Sequence, residues 1–267
     1  MNKAGNNLKF NRLILSFVIC SFVICHFTFA EAKVYDGIWF MGFNLKHPVF
    51  KDQRVREAVQ RTIDIEEIVN NIVSEETYPI GFVPPGMLGY DPDLKPYVEN
   101  TILAKMLMKK AGFPVNDKRL KNISLLHTDG VLTVSIAQKI RDDLKAIGIN
   151  ASLTEVSISE EDEWVRELAS GKHALFLMGY KAGIEQLFST EEASGEIDSA
   201  SLLQPLFSSN GEANFTGYSN SKVDLLFSKL EGLDLALKSE RHPRLKEINA
   251  ILHKDLPVVV LFYIEKL

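Results

Sequence analysis

The chain holds only two cysteines in 267 residues, Cys20 and Cys25, and both fall within the first thirty positions. Everything after that point lacks a thiol, which excludes disulfides, thiolate catalysis and Cys-ligated metals together. Positive charge is also in short supply: 30 Lys and Arg stand against 35 Asp and Glu, a net charge of -5. Lys3, Lys9 and Arg12 sit in the first thirty residues with no acid beside them, so removing that segment takes the charge from -5 to -8. An acidic balance argues against nucleic acid or an anionic membrane surface as partner, because both call for a basic face. No internal repeat and no Pro/Gly/Ser-rich interdomain linker interrupts the chain, and no later apolar run approaches membrane-spanning length.

Catalytic constellations are missing as well. His47, His127, His173, His242 and His253 are scattered, with no pair at metal-ligand spacing on one helix face. There is no Gly-rich phosphate loop and no Gly-x-Ser-x-Gly elbow. "SNSK" (219–222) fits Ser-x-x-Lys, but no Lys-Thr-Gly accompanies it, and Ser221 is expected to cap the helix carrying Asp224. The acidic clusters "SEEDE" and "STEEA" are accounted for by capping and solvated faces. The expectation is a non-enzymatic protein without cofactor or metal.

What is present begins with a leader. A basic start is followed by a mostly apolar run of seventeen residues from Leu13 to Phe29 and by small residues at Ala30 and Ala32. That order is expected for a secretory signal peptide over 1–30, cleaved after Ala30 or Ala32. The alternative is an uncleaved anchor, since seventeen residues lie at the short end of the spanning range of roughly 17–25. Ile19 and Ile24 before the two cysteines are too large for a lipid-attachment signal. The expected location is periplasmic or extracellular, with residues 31–267 as one exported domain.

Along that domain, "VYDGIWFMGFN" (34–44) is expected to form a buried strand. Asp52 caps a helix with Val55, Ala58, Val59 and Ile63 inward and Arg54, Arg56, Glu57 and Arg61 outward. Asp64 and Glu67 open a second helix bearing Ile68, Val69, Ile72 and Val73. Residues 78–96 hold five of the ten prolines and form a loop, either a surface crossover or the lining of a cleft. A helix follows from Asn100, with Ile102, Leu103, Met106 and Leu107 as its core stripe and Gly112 as its left-handed stop. Then the pattern alternates: strand 122–127, helix 131–147, strand 149–156, a helix from Ser159, strand 173–180. Two β-α-β units in succession require right-handed crossovers and parallel pairing. Residues 181–219 are the least regular stretch, and "STEEASGEIDSAS" within them is expected to be a polar excursion. Two helices bearing Val223, Leu226, Phe227 and Leu230, then Leu245, Ile248 and Leu252, precede a final inner strand at 257–264.

Six segments, in order, resemble the family 5 extracellular solute-binding proteins, the peptide- and nickel-binding components of ATP-driven importers. They are "FNLKHPVFKDQRVREAVQRTIDIEEIV", "IGFVPPGMLGY", "AKMLMKKAGFP", "IAQKIRDDLKAIGINASL", "LFSSNGEANFTGYSNSKVDLLF" and "INAILHKDLPVVVLFY". The resemblance implies an α/β fold: one lobe of a periplasmic-binding-protein type II fold, with a mixed, mostly parallel sheet flanked by helices. It implies a peptide or other small solute as ligand and an importer permease as partner. In the family the first of these segments opens the second lobe, and here it follows the leader almost at once. The expectation is therefore a second lobe alone, with the first lobe absent or separately encoded. Family members enclose ligand by hinge closure of two lobes, so one lobe leaves it half solvated. Alternatives to transport are an envelope interaction or sensory protein and a truncated remnant.

For site residues, the resemblance places Tyr180, Lys181, Ala182 and Gly183 on the family's Trp-x-Ala-Asp run, whose acid pairs with the peptide amino terminus. Tyr180 keeps the aromatic position and Gly183 lacks the carboxylate. Tyr180, Lys181 and Gly183 are the expected ligand wall, with Asn44 a further candidate from its place in the first motif.

Overall fold

Nine consecutive residues, Tyr35–Phe43, form β1, and all but Trp39 among them are buried. A strand hidden on both faces must lie inside a sheet. In the computed structural model, which describes residues 33–75, 77–114, 116–183 and 196–266, β1 is second from one edge of five strands. Chain order gives β2 (Met87–Leu88), β3 (Ile123–Thr128), β4 (Ala151–Val156), β5 (Leu175–Lys181), β6 (Ile197–Asp198) and β7 (Val258–Glu265). The large sheet runs β4-β3-β5-β1-β7, and β2 pairs with β6 apart from it. β3 is parallel to both β4 and β5, as the two β-α-β units require. β1 is antiparallel to β5 and to β7, so β7 runs with the parallel set. The result is the expected mixed, mostly parallel sheet.

Helices cover both faces. One face carries Met41, Phe43, Leu125, Leu175, Leu177 and Leu261 beneath α1 (Gln53–Gln60), α3 (Thr101–Lys110) and α4 (Val131–Leu144). The other carries Ile38, Phe40, Leu126, Phe176 and Val260 beneath α6 (Ala200–Phe207), α7 (Ser221–Glu231) and α8 (Lys238–Asp255). α2 (Ile65–Glu67) runs on as a π turn through Val73, and α5 (Glu161–Ala169) joins β4 to β5. Burying one large apolar side chain contributes about 1.5–3 kcal/mol, so the two cores supply most of the driving force.

The caps fall close to where the sequence puts them. Asp52 accepts from the Arg54 amide and Asp64 from the Glu67 amide. Gly112 and Gly148 end their helices at φ +84. The helix expected from Ser159 begins at Glu161, and Asn220 rather than Ser221 caps α7, accepting from the Lys222 amide.

Four expectations are corrected. Arg56 is not on a solvent face. It is buried and donates to the carbonyls of Phe50, Lys51, Asp255 and Leu256. The last carbonyls of a helix lack intrahelical donors, and the guanidinium serves those of α8. In α3 the buried residues are Ala104 and Met108, whereas Ile102 and Met106 are 77% and 51% exposed. The Asn100 amide is bonded to the Arg61 carbonyl, so the tie to α1 turns α3 until its small residue meets the neighbour. The Pro-rich loop is no surface crossover, because Phe82, Val83, Met87 and Leu88 are buried against α6 and α8. Finally, 181–219 contains a regular element. Helix α6 buries Leu202, Leu203, Leu206 and Phe207 and tolerates Pro205 near its end. It is held by Asp198, which accepts from the Ala200 amide and pairs with buried Arg241 at 2.5 Å. Residues 189–195 of the expected excursion, and the leader, lie outside the described residues, whereas 196–201 of that excursion supply β6 and the start of α6.

Two close approaches fix β1 against β5. A Cβ on Gly42 would stand 2.1 Å from the Phe176 ring, and one on Gly37 would stand 2.5 Å from the Tyr180 carbonyl oxygen. Gly42→Ala is expected to destabilise by about 1–3 kcal/mol in urea unfolding. Gly232→Ala, where a Cβ meets nothing within 4 Å, should change little; equal effects would contradict the packing argument.

Tyr263 fastens the Pro-rich loop to β7. Its hydroxyl accepts from the Ile80 and Gly81 amides and donates to the Gly81 carbonyl at 3.1 Å. Burial pushes it up to about 12 from 10.0. The folded state holds this proton more tightly than the unfolded, so the contribution is complete below pH 10 and disappears as pH rises toward 12. Tyr263→Phe is expected to flatten the loss of stability between pH 10 and 12 by about 2–3 kcal/mol in chemical denaturation.

Candidate functional site

The four parallel strands end on one rim of the sheet, and β1, running the other way, begins there. In open α/β sheets, ligands sit outside the carboxyl ends of the strands. This rim collects Asp129 and Gly130 after β3, Ser157 and Ile158 after β4, Tyr180–Gly183 at the end of β5, Glu265 on β7 and Val34–Asp36 at the entry to β1.

Tyr180 lies opposite Ile38 in the ladder, half-buried against the α6–α8 side of the core. Burial and then the charge of Glu212 raise its hydroxyl above the ordinary tyrosine range. It presents a neutral ring with one edge in solvent. Lys181 lies opposite Gly37. Its ammonium stands 3.1 Å from Asp36 Oδ1 and donates to the Glu265 carbonyl at 3.3 Å. Asp36 is only 4% exposed, and its carbonyl accepts from the Ala182 amide at 2.7 Å. Lysine and carboxylate thus clamp the ends of β1, β5 and β7 together. Gly183 is exposed, and among the described residues nothing lies within 4 Å of a Cβ built on it. Where the family resemblance would place a carboxylate, this chain has no side chain, and the described residues leave room for one.

Sequence reasoning missed two parts of the rim. Asp129 Oδ1 accepts from the Ile158 amide at 2.8 Å, and Oδ2 from the Ser157 hydroxyl at 3.0 Å. These bonds hold Asp129 below the usual carboxylate range and join the ends of β3 and β4. Asp36 lay hidden inside the "VYDGIW" strand, where one acid in an aromatic run gave no sign of a partner across the sheet. The only available cue was that a charge inside a buried strand needs a counter-charge.

Asn44 is not brought to this rim. β1 runs from Gly37 opposite Lys181 to Phe43 opposite Leu175, so Asn44 lies at the other end of the sheet, about 20 Å away. Its Nδ2 donates to the carbonyls of Gly171 and His173, and its Oδ1 accepts from the Lys46 amide. It shapes a turn.

Most polar residues of the "NFTGYSN" motif are likewise engaged in structural hydrogen bonds away from the rim. Asn214 bonds the carbonyls of Ser208 and Tyr218. The Tyr218 hydroxyl and Asn220 Nδ2 both donate to Asp255 Oδ2. Among the described residues no cluster of His, Cys, Asp or Glu is arranged to hold a metal, and no helix is long and apolar enough to cross a membrane.

Residues 27–189 match the profile of the bacterial extracellular solute-binding proteins, family 5. The chain belongs to that family of binding proteins. Among curated relatives it is similar to di/tripeptide-binding protein 2 of Pseudomonas aeruginosa, 30% identical over 51% of this chain and 25% of that one. It is also similar to YgiS of Escherichia coli, a probable deoxycholate-binding periplasmic protein, 24% identical over 84% of this chain and 39% of that one. Solved structures share the fold. HbpA2 of Haemophilus parasuis superposes with a TM-score of 0.71 at 21% identity over 87% of this chain and 43% of that one. DppA of Helicobacter pylori, bound to a peptide, gives 0.71 at 20% identity over 88% of this chain and 43% of that one. The chain thus spans well under half the length of these relatives.

The Lys181–Asp36 pair is open to test. Lys181→Met should lower stability by about 1–2 kcal/mol, a figure reduced for the solvent around the ammonium. Adding Asp36→Asn should recover part of that loss. Strict additivity in urea unfolding would show that the two groups do not interact.

Proposed function

We propose that the strand-end rim is one wall of a solute-binding cleft and that an opposing lobe, outside the compact unit Val34–Leu267, supplies the other wall. The reading rests on one observation above others. Val34, Val131, Leu132 and Ile158 are 50%, 86%, 40% and 69% exposed, and all four stand at this rim. Four exposed apolar side chains thus share the sheet end that carries Tyr180 and the Lys181–Asp36 pair, and exposed apolar surface at one end of a sheet supports a face that a partner covers. Membership of a solute-binding family supports it.

In this reading residues 1–30 export the chain and residues 31–267 act outside the cytoplasmic membrane with an importer of the ATP-driven class. Peptide is the proposed solute, because relatives carry the names di/tripeptide-binding and dipeptide-binding protein. The chemistry of the rim qualifies that ligand. Tyr180 can pack on a peptide backbone, but no acid stands at Gly183 to meet an amino terminus. A missing counter-charge in a covered site costs about 2–5 kcal/mol.

The same four exposed side chains support a second reading, an envelope protein that docks a partner through the rim without transport. Pull-down from an envelope fraction separates the two: importer subunits support the first, an unrelated partner the second.

Isolated 31–267 is expected to bind tri- and tetrapeptides no tighter than about millimolar in calorimetry. Gly183→Asp should strengthen binding of peptides with a free amino terminus at least tenfold and leave N-acetylated peptides unchanged. Micromolar binding by the unaltered polypeptide would contradict the one-wall reading.

A further inference from the structure

We propose that a second site, at the opposite end of the sheet, binds a free single-chain anionic amphiphile: a carboxylate carried on an aliphatic body. It does not depend on the function assigned to the strand-end rim. The end of α3 and the short 3-10 turn Lys145–Ile147 that follows α4 border a half-open hollow of about 650 Å³. That volume lies within the range of about 300–1,000 Å³ usual for small-ligand sites. Met106, Met108, Phe113 and Ile147 make its walls apolar, and Lys105, Lys109 and Lys145 stand around it.

The charge here runs against that of the whole chain. Residues 100–121 contain Lys105, Lys109, Lys110, Lys118, Arg119 and Lys121 against the single acid Asp117, a net +5 in a chain of net -5. Asp117 is itself paired with Arg119 at 2.6 Å. Lys145 pairs with Asp142 at 2.7 Å, and Asp142 also takes Arg141 at 3.1 Å. Lys105 and Lys109 have no ion-pair partner among the described residues. An acidic protein has thus placed two uncompensated cations beside an apolar hollow.

Helix capping does not account for them. Cations in a last turn offset the partial negative charge at a helix C-terminus. The end of α3 already has two guanidinium donors: Arg54 to the Lys110 carbonyl at 2.8 Å and Arg119 to the Gly112 carbonyl at 2.5 Å. Lys105 lies mid-helix, where that field is weak. Core packing does not account for Met106 either, which is 51% exposed beside the cavity. Soft, flexible methionine side chains suit an aliphatic ligand. Anion plus aliphatic body is the chemistry that uses both the lysines and the walls.

The test is calorimetry of 31–267 with decanoate below its micelle concentration, with decyltrimethylammonium as the charge-reversed probe. Decanoate should bind at least tenfold more tightly than decyltrimethylammonium. Lys105→Gln with Lys109→Gln should weaken decanoate at least tenfold, and so should Met106→Gln, with thermal unfolding of these surface variants remaining cooperative and within a few degrees of the parent. Three outcomes would overturn the proposal: no decanoate binding at 1 mM, equal affinity for the two probes, or variants that bind like the parent. Binding to phosphatidylglycerol vesicles that saturating decanoate fails to displace would also overturn it, by making this corner a membrane contact.

Discussion

The antiparallel insertion of β1 between β5 and β7 is the constraint on which the rest depends. Without it the parallel strands β4, β3 and β5 have an open edge, and β7 has no neighbour among the described residues. An unpaired inner strand would leave a row of backbone donors and acceptors without partners, which a buried sheet does not tolerate. β1 closes that gap only because Gly37 and Gly42 let its backbone approach β5. It also contributes Ile38 and Phe40 to one core and Met41 and Phe43 to the other, so both layers of helices dock on the same strand.

The same strand builds the rim. It starts where the parallel strands end, and that places Asp36 within reach of Lys181 and brings Val34 among the exposed apolar residues. The link from sequence to function therefore runs through register. Moving β1 by one residue would turn Asp36 to the other face of the sheet and leave Lys181 without its carboxylate. Arg56 and Asp255 act similarly at the far end, tying the start of α1, the end of α8 and the "NFTGYSN" turn into one hydrogen-bonded knot.

Much of this architecture was legible in the residues. Strong periodicity and clear punctuation located the parallel units, because Gly112, Gly148 and Gly171 can only end helices where they stand. Tertiary contacts decided the remainder. Arg56 resembles a surface residue until orphan carbonyls from the other end of the chain arrive beside it. The apolar stripe on α3 misleads because Ala104, the smallest apolar residue in the helix, marks its tightest contact. Helix α6 is hard to read from the residues because Ser199, Ser201 and Pro205 disguise a segment held by a distant Arg241–Asp198 pair. Of the expected site residues, Tyr180, Lys181 and Gly183 share the rim. Asn44 does not, since a motif shows that residues occur together and not which end of a strand they occupy.

The proposed half-site is a rim that touches ligand. Backbone amide chemical-shift mapping of isotope-labelled 31–267 with a tetrapeptide at several millimolar tests it most directly. The prediction is fast-exchange shifts concentrated at Val34–Asp36, Asp129–Leu132, Ser157–Ile158 and Tyr180–Gly183, still unsaturated at the highest concentration. Shifts confined to other surfaces, or saturation at micromolar peptide, would contradict it.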